Sequence, residues 1–186
     1  MKISSFVMLL TASALLSGAE AEPGKDVLRL RIIVDSEFNK PYGAQWWINR
    51  AASDKGTGVS VVKDAKTNSR CLKLEVPEGK KHVSACATPD FLYVEGGIVQ
   101  MKAKVKGRGA FEFDFYCYDA NKKYIGIRGP KKIEKVDSDD WKEITASCPM
   151  SVFPKNTARL RAVLSMRSPG TVYVDDVVYT LVKPKK

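Results

Sequence analysis

The chain has 186 residues, a formal net charge of +10 and a 44% hydrophobic share, which suits one domain with its own core. The basic surplus draws anionic partners, either acidic polysaccharide, nucleic acid or anionic membrane, or it serves solubility alone. With a single histidine and four cysteines, the sequence leaves little material for a histidine-based catalytic or metal centre.

The first segment reads as a targeting signal. Lys2 gives a basic start, Phe6 to Leu16 is mostly apolar, and Ala19-Glu20-Ala21 offers small residues where a signal peptidase reads. Cleavage after Ala21 is expected, so residues 1–21 are a leader and the mature protein is secreted or periplasmic. The apolar run is too short for a membrane span and no second candidate follows it. Export makes nucleic acid the weakest of the anionic partners. Residues 22–182 then form a single domain, and 183–186 a basic tail.

The mature chain shows no helix-period segment of useful length, whereas two-residue alternation recurs throughout. Strands are predicted at Val27–Val34, Gln45–Arg50, Gly58–Lys63, Cys71–Val76, His82–Ala87, Ile98–Lys106, Ala110–Tyr118, Trp141–Cys148, Arg159–Met166 and Thr171–Val182. Turn residues separate them at Pro77 and Gly79, Gly96-Gly97, Gly107-Arg108-Gly109, Asp119-Ala120-Asn121 and Ser168-Pro169-Gly170. The fold class is therefore all-β, an antiparallel β-sandwich, and the last eight long strands map onto a jelly roll. That wiring puts Cys71–Val76, Arg159–Met166, Ile98–Lys106 and Ala110–Tyr118 in one sheet. Its outer face then carries Lys73, Glu75, Gln100, Lys102, Lys104, Glu112, Asp114, Tyr116, Tyr118, Arg159 and Arg161.

Four cysteines in an exported chain suggest two disulfides. Parity puts Cys71 and Cys86 on polar faces, and the turn at Pro77 to Lys81 would bring them level. Cys117 and Cys148 follow inward-facing apolar residues, which suits a bridge between layers. Buried free thiols are the alternative.

Within this order, Asp35-Ser36-Glu37-Phe38-Asn39 with Trp46, Ser69 to Leu74, and Gly96 to Gly107 resemble consecutive pieces of a known family. So do Phe113 to Asp119, Trp141 to Ile144 and Gly170 to Val178. Together they resemble the carbohydrate-binding modules of the galactose-binding-domain-like jelly-roll superfamily, found beside bacterial xylanases and glucanases. The resemblance implies non-catalytic binding of a polysaccharide or oligosaccharide. It also implies a structural calcium at the closing strand, held by Asp176, Asp175 and Glu37. Two adjacent aspartates in a strand need a positive partner, and either calcium or a basic side chain supplies it.

For sugar binding, rings cover C–H faces while polar groups fix the hydroxyls. Tyr116 and Tyr118 alternate with Glu112 and Asp114 on one strand face, with Arg159, Arg161, Lys102 and Lys104 expected on neighbouring strands. Arginine grips carboxylate or sulfate with two parallel bonds, which suits an acidic glycan. An ordinary solvated face with cross-strand ion pairs is the competing reading. Trp46 and Trp47 cannot both point inward on an extended strand, so one fills the core and the other is a ligand candidate. Trp141 reads as structural, and Tyr42 is a weaker candidate. Catalysis finds little support. His82 reads as a lone exposed strand residue, and Glu112 with Asp114 is a remote glycosidase pair. A small polysaccharide lyase lacks its expected signatures, and a structural or protein-interaction module remains the alternative from another class.

Overall fold

The computed structural model describes residues 27–31, 38 and 45–184. The leader, Glu37, Tyr42 and most of the Asp35 to Asn39 segment lie outside the described residues. Those described form an antiparallel network of ten strands. In chain order these are β1 (Val27–Arg31), β2 (Trp46–Ile48), β3 (Gly58–Lys63), β4 (Arg70–Val76) and β5 (Val83–Leu92). They continue with β6 (Ile98–Tyr118), β7 (Tyr124–Arg128), β8 (Ile133–Pro149), β9 (Arg159–Met166) and β10 (Gly170–Pro184). The only described helical element is a single 3-10 turn, Met150–Val152.

β6 is the organising strand. Its first half pairs with β10, which pairs in turn with β4 and then β3. Its second half pairs with β9, which pairs with β5 and then β2. β8 follows β6 along both halves, and β7 closes the far end. The hydrogen-bonded network is thus continuous, but it folds over at the middle of β6 into two layers. Alternating residues of each half face a shared core. Leu72 and Leu74 of β4 and Val172 and Val174 of β10 enter it from the first layer. Val83 and Ala85 of β5, Leu160 and Leu164 of β9, and Phe111 and Phe115 of β6 enter from the second.

Ring contacts bind the layers together. Tyr179 of β10 sits 5.9 Å from Phe113 and 5.6 Å from Phe115, both edge-on. Each such contact adds roughly 0.5–1.5 kcal/mol beyond area burial. The Tyr179 hydroxyl donates to the Val163 carbonyl at 3.4 Å, so the one polar atom of this buried ring has a partner.

The all-β sandwich stands as expected, with three corrections. Gly107-Arg108-Gly109 is not a turn between strands; β6 runs through it and bends there, at a register shift against β8. Tyr124–Arg128 and the charged stretch Ile133 to Asp140 are strand, although their sequence carries little apolar alternation. The expected four-strand sheet is split by the bend in β6. β4 and the Lys102–Lys104 segment belong to the first layer, while β9 and the Tyr116 segment belong to the second.

The same split overturns the disulfide scheme: all four cysteines are free and buried. Cys71 and Cys86 do lie on the non-core faces, as parity required. Those faces belong to different layers and point away from each other, so the hairpin-like turn between β4 and β5 crosses layers instead of bringing them level. Cys117 and Cys148 both enter the core without bonding to each other.

Candidate functional site

The outer face of the second layer holds the densest group of aromatic and polar side chains. Strand registry sets it out in rows. One row runs Asp90, Arg161, Tyr116, Ile127; the next runs Leu92, Arg159, Tyr118, Tyr124. A third places Trp47 beside Cys86, then Val163 and Asp114. Beneath the rings, Cys86, Tyr116 and Val163 form a small buried cluster, with Trp47, Ala52, Tyr118 and Ile127 packed against it.

A pocket of about 360 Å³ opens above this cluster, lined by Asn49, Ala51, Ala52, Tyr116, Tyr118 and Tyr124. Tyr124 meets Tyr116 edge-on at 5.7 Å and Tyr118 at 6.1 Å, so the three rings form an angled wall. The Asn49 amide donates to the Tyr116 hydroxyl at 2.9 Å, fixing that ring from the side of the β2–β3 connection. Arg161 lies 5.4 Å from the Tyr118 ring and 6.0 Å from Trp47, bridging two faces that could carry a sugar. Its guanidinium donates twice to Asp90 Oδ1, at 2.8 and 2.7 Å, which balances its charge and locks its position.

Glu112 and Asp114 lie further along the same face and are buried. Both are held by Arg167, which donates to Glu112 and, at 3.0 Å, to Asp114 Oδ2. Burial, then a hydrogen bond shared with Asp114, pushes the Glu112 carboxyl up to about 7, against the pull of Arg167. Arg167 gathers the two carboxyls into one buried ion cluster.

His82 also departs from expectation. It is half-buried, its Nε2 lies 2.9 Å from the Ser84 hydroxyl, and its Nδ1 meets the Ala52 carbonyl. Burial lowers its pKa, favouring the neutral ring, in which Nδ1–H donates to Ala52 and Nε2 accepts from Ser84. Ser84 is fully buried and bonded onward to Ser165, so no substrate reaches this hydroxyl.

The remaining expected site residues are dispersed. Trp46 is 2% exposed in the core while Trp47 faces outward, as a single extended strand requires. Tyr116 is only 4% exposed and offers an edge at most. Arg159 lies beside Tyr118 at the open end. Lys102 and Lys104 sit on the other layer, paired with Glu143 at 3.1 Å and Asp176 at 2.6 Å. Lysine thus supplies the positive partner of the aspartate pair. Asp175 turns to Ser69 and to the Asp176 N–H, and no cluster of three His, Cys, Asp or Glu side chains suited to a metal occurs among the described residues. The described part of the implied calcium set does not fit a metal cage.

Asn49, Asp90, Tyr124 and Arg167 complete the face and escaped the sequence reading. Tyr124 carried a usable signal, since Tyr124-Ile125-Gly126-Ile127 has the aromatic and β-branched content of a short strand. Asn49 and Arg167 sit just beyond strand ends, where alternation gives no direction.

No protein-family model matches this chain, and no curated protein matches it significantly in sequence. Solved structures do match it in fold. The CBM22-1 xylan-binding domain of Paenibacillus barcinonensis Xyn10C superposes with a TM-score of 0.54 at 15% identity, covering 89% of this chain and 100% of that domain. A cyclase from Fischerella sp. TAU gives 0.58 at 11% identity, over 85% of this chain and 99% of the cyclase. The enzymatically active domain of bacteriophage CBA120 tailspike protein 4 gives 0.56 at 14% identity. That match covers 79% of this chain but only 21% of the tailspike chain. The fold is thus one used by carbohydrate-binding modules and by enzymes, and at these identities the likeness concerns fold alone.

Proposed function

We propose that the protein binds polysaccharide without cleaving it, along the outer face of the second layer. The observation that carries this reading is the pocket walled by Tyr116, Tyr118 and Tyr124. Beside it Arg161 is stacked between Tyr118 and Trp47 and held by Asp90. Rings cover the apolar faces of pyranoses, and Asn49 and Arg161 stand ready to orient hydroxyls. The shared fold of a xylan-binding domain supports the same reading by analogy.

The charges refine the ligand class. Arg161 is paired with Asp90, Glu112 and Asp114 share Arg167, and Arg159 stands beside Tyr118, so three arginines face three carboxylates and the face offers no net surplus of either sign. A neutral glycan therefore suits it better than the acidic one suggested by composition. Cleavage of residues 1–21 as a leader, expected from their sequence pattern, would put this activity outside the cytoplasm.

Calorimetry against soluble xylan, mixed-linkage glucan, galactan and polygalacturonate tests the reading. We expect saturable binding to a neutral polymer with no new reducing ends. Tyr124→Ala should weaken it at least tenfold at unchanged Tm, and Trp47→Ala equally, with a lower Tm because Trp47 packs on the buried cluster. Tyr116 is too buried to serve as a clean probe. No binding to any of the four polymers would favour a structural or protein-interaction role, and released product would favour an enzyme.

A further inference from the structure

The outer face of the first layer carries a second cavity, of about 430 Å³, that the groove reading does not use. Its size falls within the roughly 300–1,000 Å³ of small-ligand pockets. The half-buried indole of Trp141 forms one wall, and the segment from Thr67 to Arg70 the opposite rim. Asp175, Asp176 and Lys104 line the remainder.

These side chains are set out for ligand contact by an irregularity in β10. The register against β6 shifts between Asp175 and Val178, and Asp176 adopts φ 50°, a conformation uncommon for any residue but glycine. Such bulges re-aim side chains at the price of local strain. Here both neighbouring carboxylates are delivered to one cavity.

The polar groups are only partly used. Asp175 accepts the Asp176 N–H at 2.9 Å and a long bond from Ser69 at 3.4 Å, leaving acceptor positions on both oxygens. Arg70 lines the cavity, and no ion pair to it occurs among the described residues. Arg70 and Lys104 balance Asp175 and Asp176, so the cavity carries no net charge. Below it, Lys106 is paired with the buried Asp64 and lies 4.9 Å from the Trp141 ring, which fixes the indole in place.

The geometry points to a second saccharide site, at which a neutral pyranose lays a C–H face on Trp141 and presents adjacent hydroxyls to Asp175 and Arg70. An aromatic plane beside a carboxylate acceptor and a guanidinium donor matches the mixed surface of a sugar ring. A phosphate or sulfate would be repelled by the two aspartates, and a bare cation by Arg70 and Lys104. This site is independent of the tyrosine-walled groove and lies on the opposite outer face of the sandwich.

The indole N–H signals of the three tryptophans separate the two sites in a nitrogen-edited NMR spectrum. Assigned through Trp47→Phe and Trp141→Phe, they are followed while methyl glycosides of xylose, glucose and galactose are titrated in. The Trp141 signal should move saturably with at least one glycoside, in the wild type and equally in Tyr124→Ala. Asp175→Asn, which removes a half-buried charge, and Arg70→Ala should each weaken that response at least tenfold with the spectrum otherwise folded. An unmoved Trp141 signal with all three glycosides, or a response unchanged in both variants, overturns the site. The groove reading fails separately, through Trp47 and the polymer calorimetry.

Discussion

At the scale of single residues, Glu112 is the group whose environment is most at odds with its chemistry. Unfolded, its carboxyl titrates near 4.5; in the fold, burial and the neighbouring Asp114 hold it up to about 7. Below 4.5 both states keep the proton. Between those values the unfolded chain releases it while the folded chain retains it, so stability falls as pH rises through the window. His82 acts oppositely, because its ring is held neutral below its usual 6.5 and acidification favours the unfolded, charged form. Asp64, held low by Lys106, matters only as pH drops below its unfolded value of 3.8. Comparing Glu112→Gln with the wild type at each pH therefore isolates the carboxyl. The wild type should lose on the order of 1–3 kcal/mol relative to the variant between pH 4.5 and 7. Denaturant melts across that range check it; a constant difference would mean the carboxyl titrates normally.

At the scale of elements, the passage of β6 from one layer to the other depends on close approach of two strands. Gly107 has φ 107°, and a Cβ there would sit 2.2 Å from the Thr171 carbonyl oxygen of β10. Gly170, at φ 136°, meets the Arg108 carbonyl oxygen equally closely from the other side. The two backbones press together where the network folds over. Gly107→Ala should cost at least about 3 kcal/mol, combining conformational strain with a backbone clash. Gly79→Ala is the control: its φ is 77° but nothing lies within 4 Å of an added Cβ. It should cost only about 1 kcal/mol, the strain alone. Equal losses in urea melts would mean that the bend does not need the contact. This bend also marks the limit of what alternation conveyed. Two-residue periodicity located most strands and their inward faces correctly, because burial on one face dictates it. Periodicity says nothing about whether a glycine pair ends a strand or turns it, and so the two layers were assembled with the wrong partners. The start of β8 was missed for a related reason: a charged edge segment pairs through backbone while showing no apolar rhythm.

At the scale of the whole molecule, the placement of side chains by layer decides which sequence signals carry function. Tyr116 and Arg161 stand directly opposite each other across β6 and β9, as parity suggested, whereas Lys102 and Lys104 were removed to the far layer. Asp90 and Asn49 became visible only once β5 and the β2–β3 connection were seen to border that face, since no local pattern links them to β6. The cysteines follow the same logic. Export to an oxidising compartment, as expected from the sequence, would favour disulfides, but oxidation requires thiols that reach one another or the solvent. Cys71 and Cys86 are sealed under opposite outer faces, and Cys117 and Cys148 are in the core, all with no exposed surface. Burial pushes the thiols up to about 11 for Cys71 and Cys117 and about 12 for Cys86 and Cys148, so little thiolate forms at neutral pH. The native protein should therefore resist a water-soluble disulfide reagent for as long as it stays folded. Denatured without reductant, it should titrate four thiols at once. A count of two in denaturant would reveal a bridge, for which Cys117 and Cys148 are the candidates, because each enters the same core and the charge of one opposes ionisation of the other. A count of four, with prompt labelling only after unfolding, would show that this sandwich is held by packing between its layers and not by covalent crosslinks.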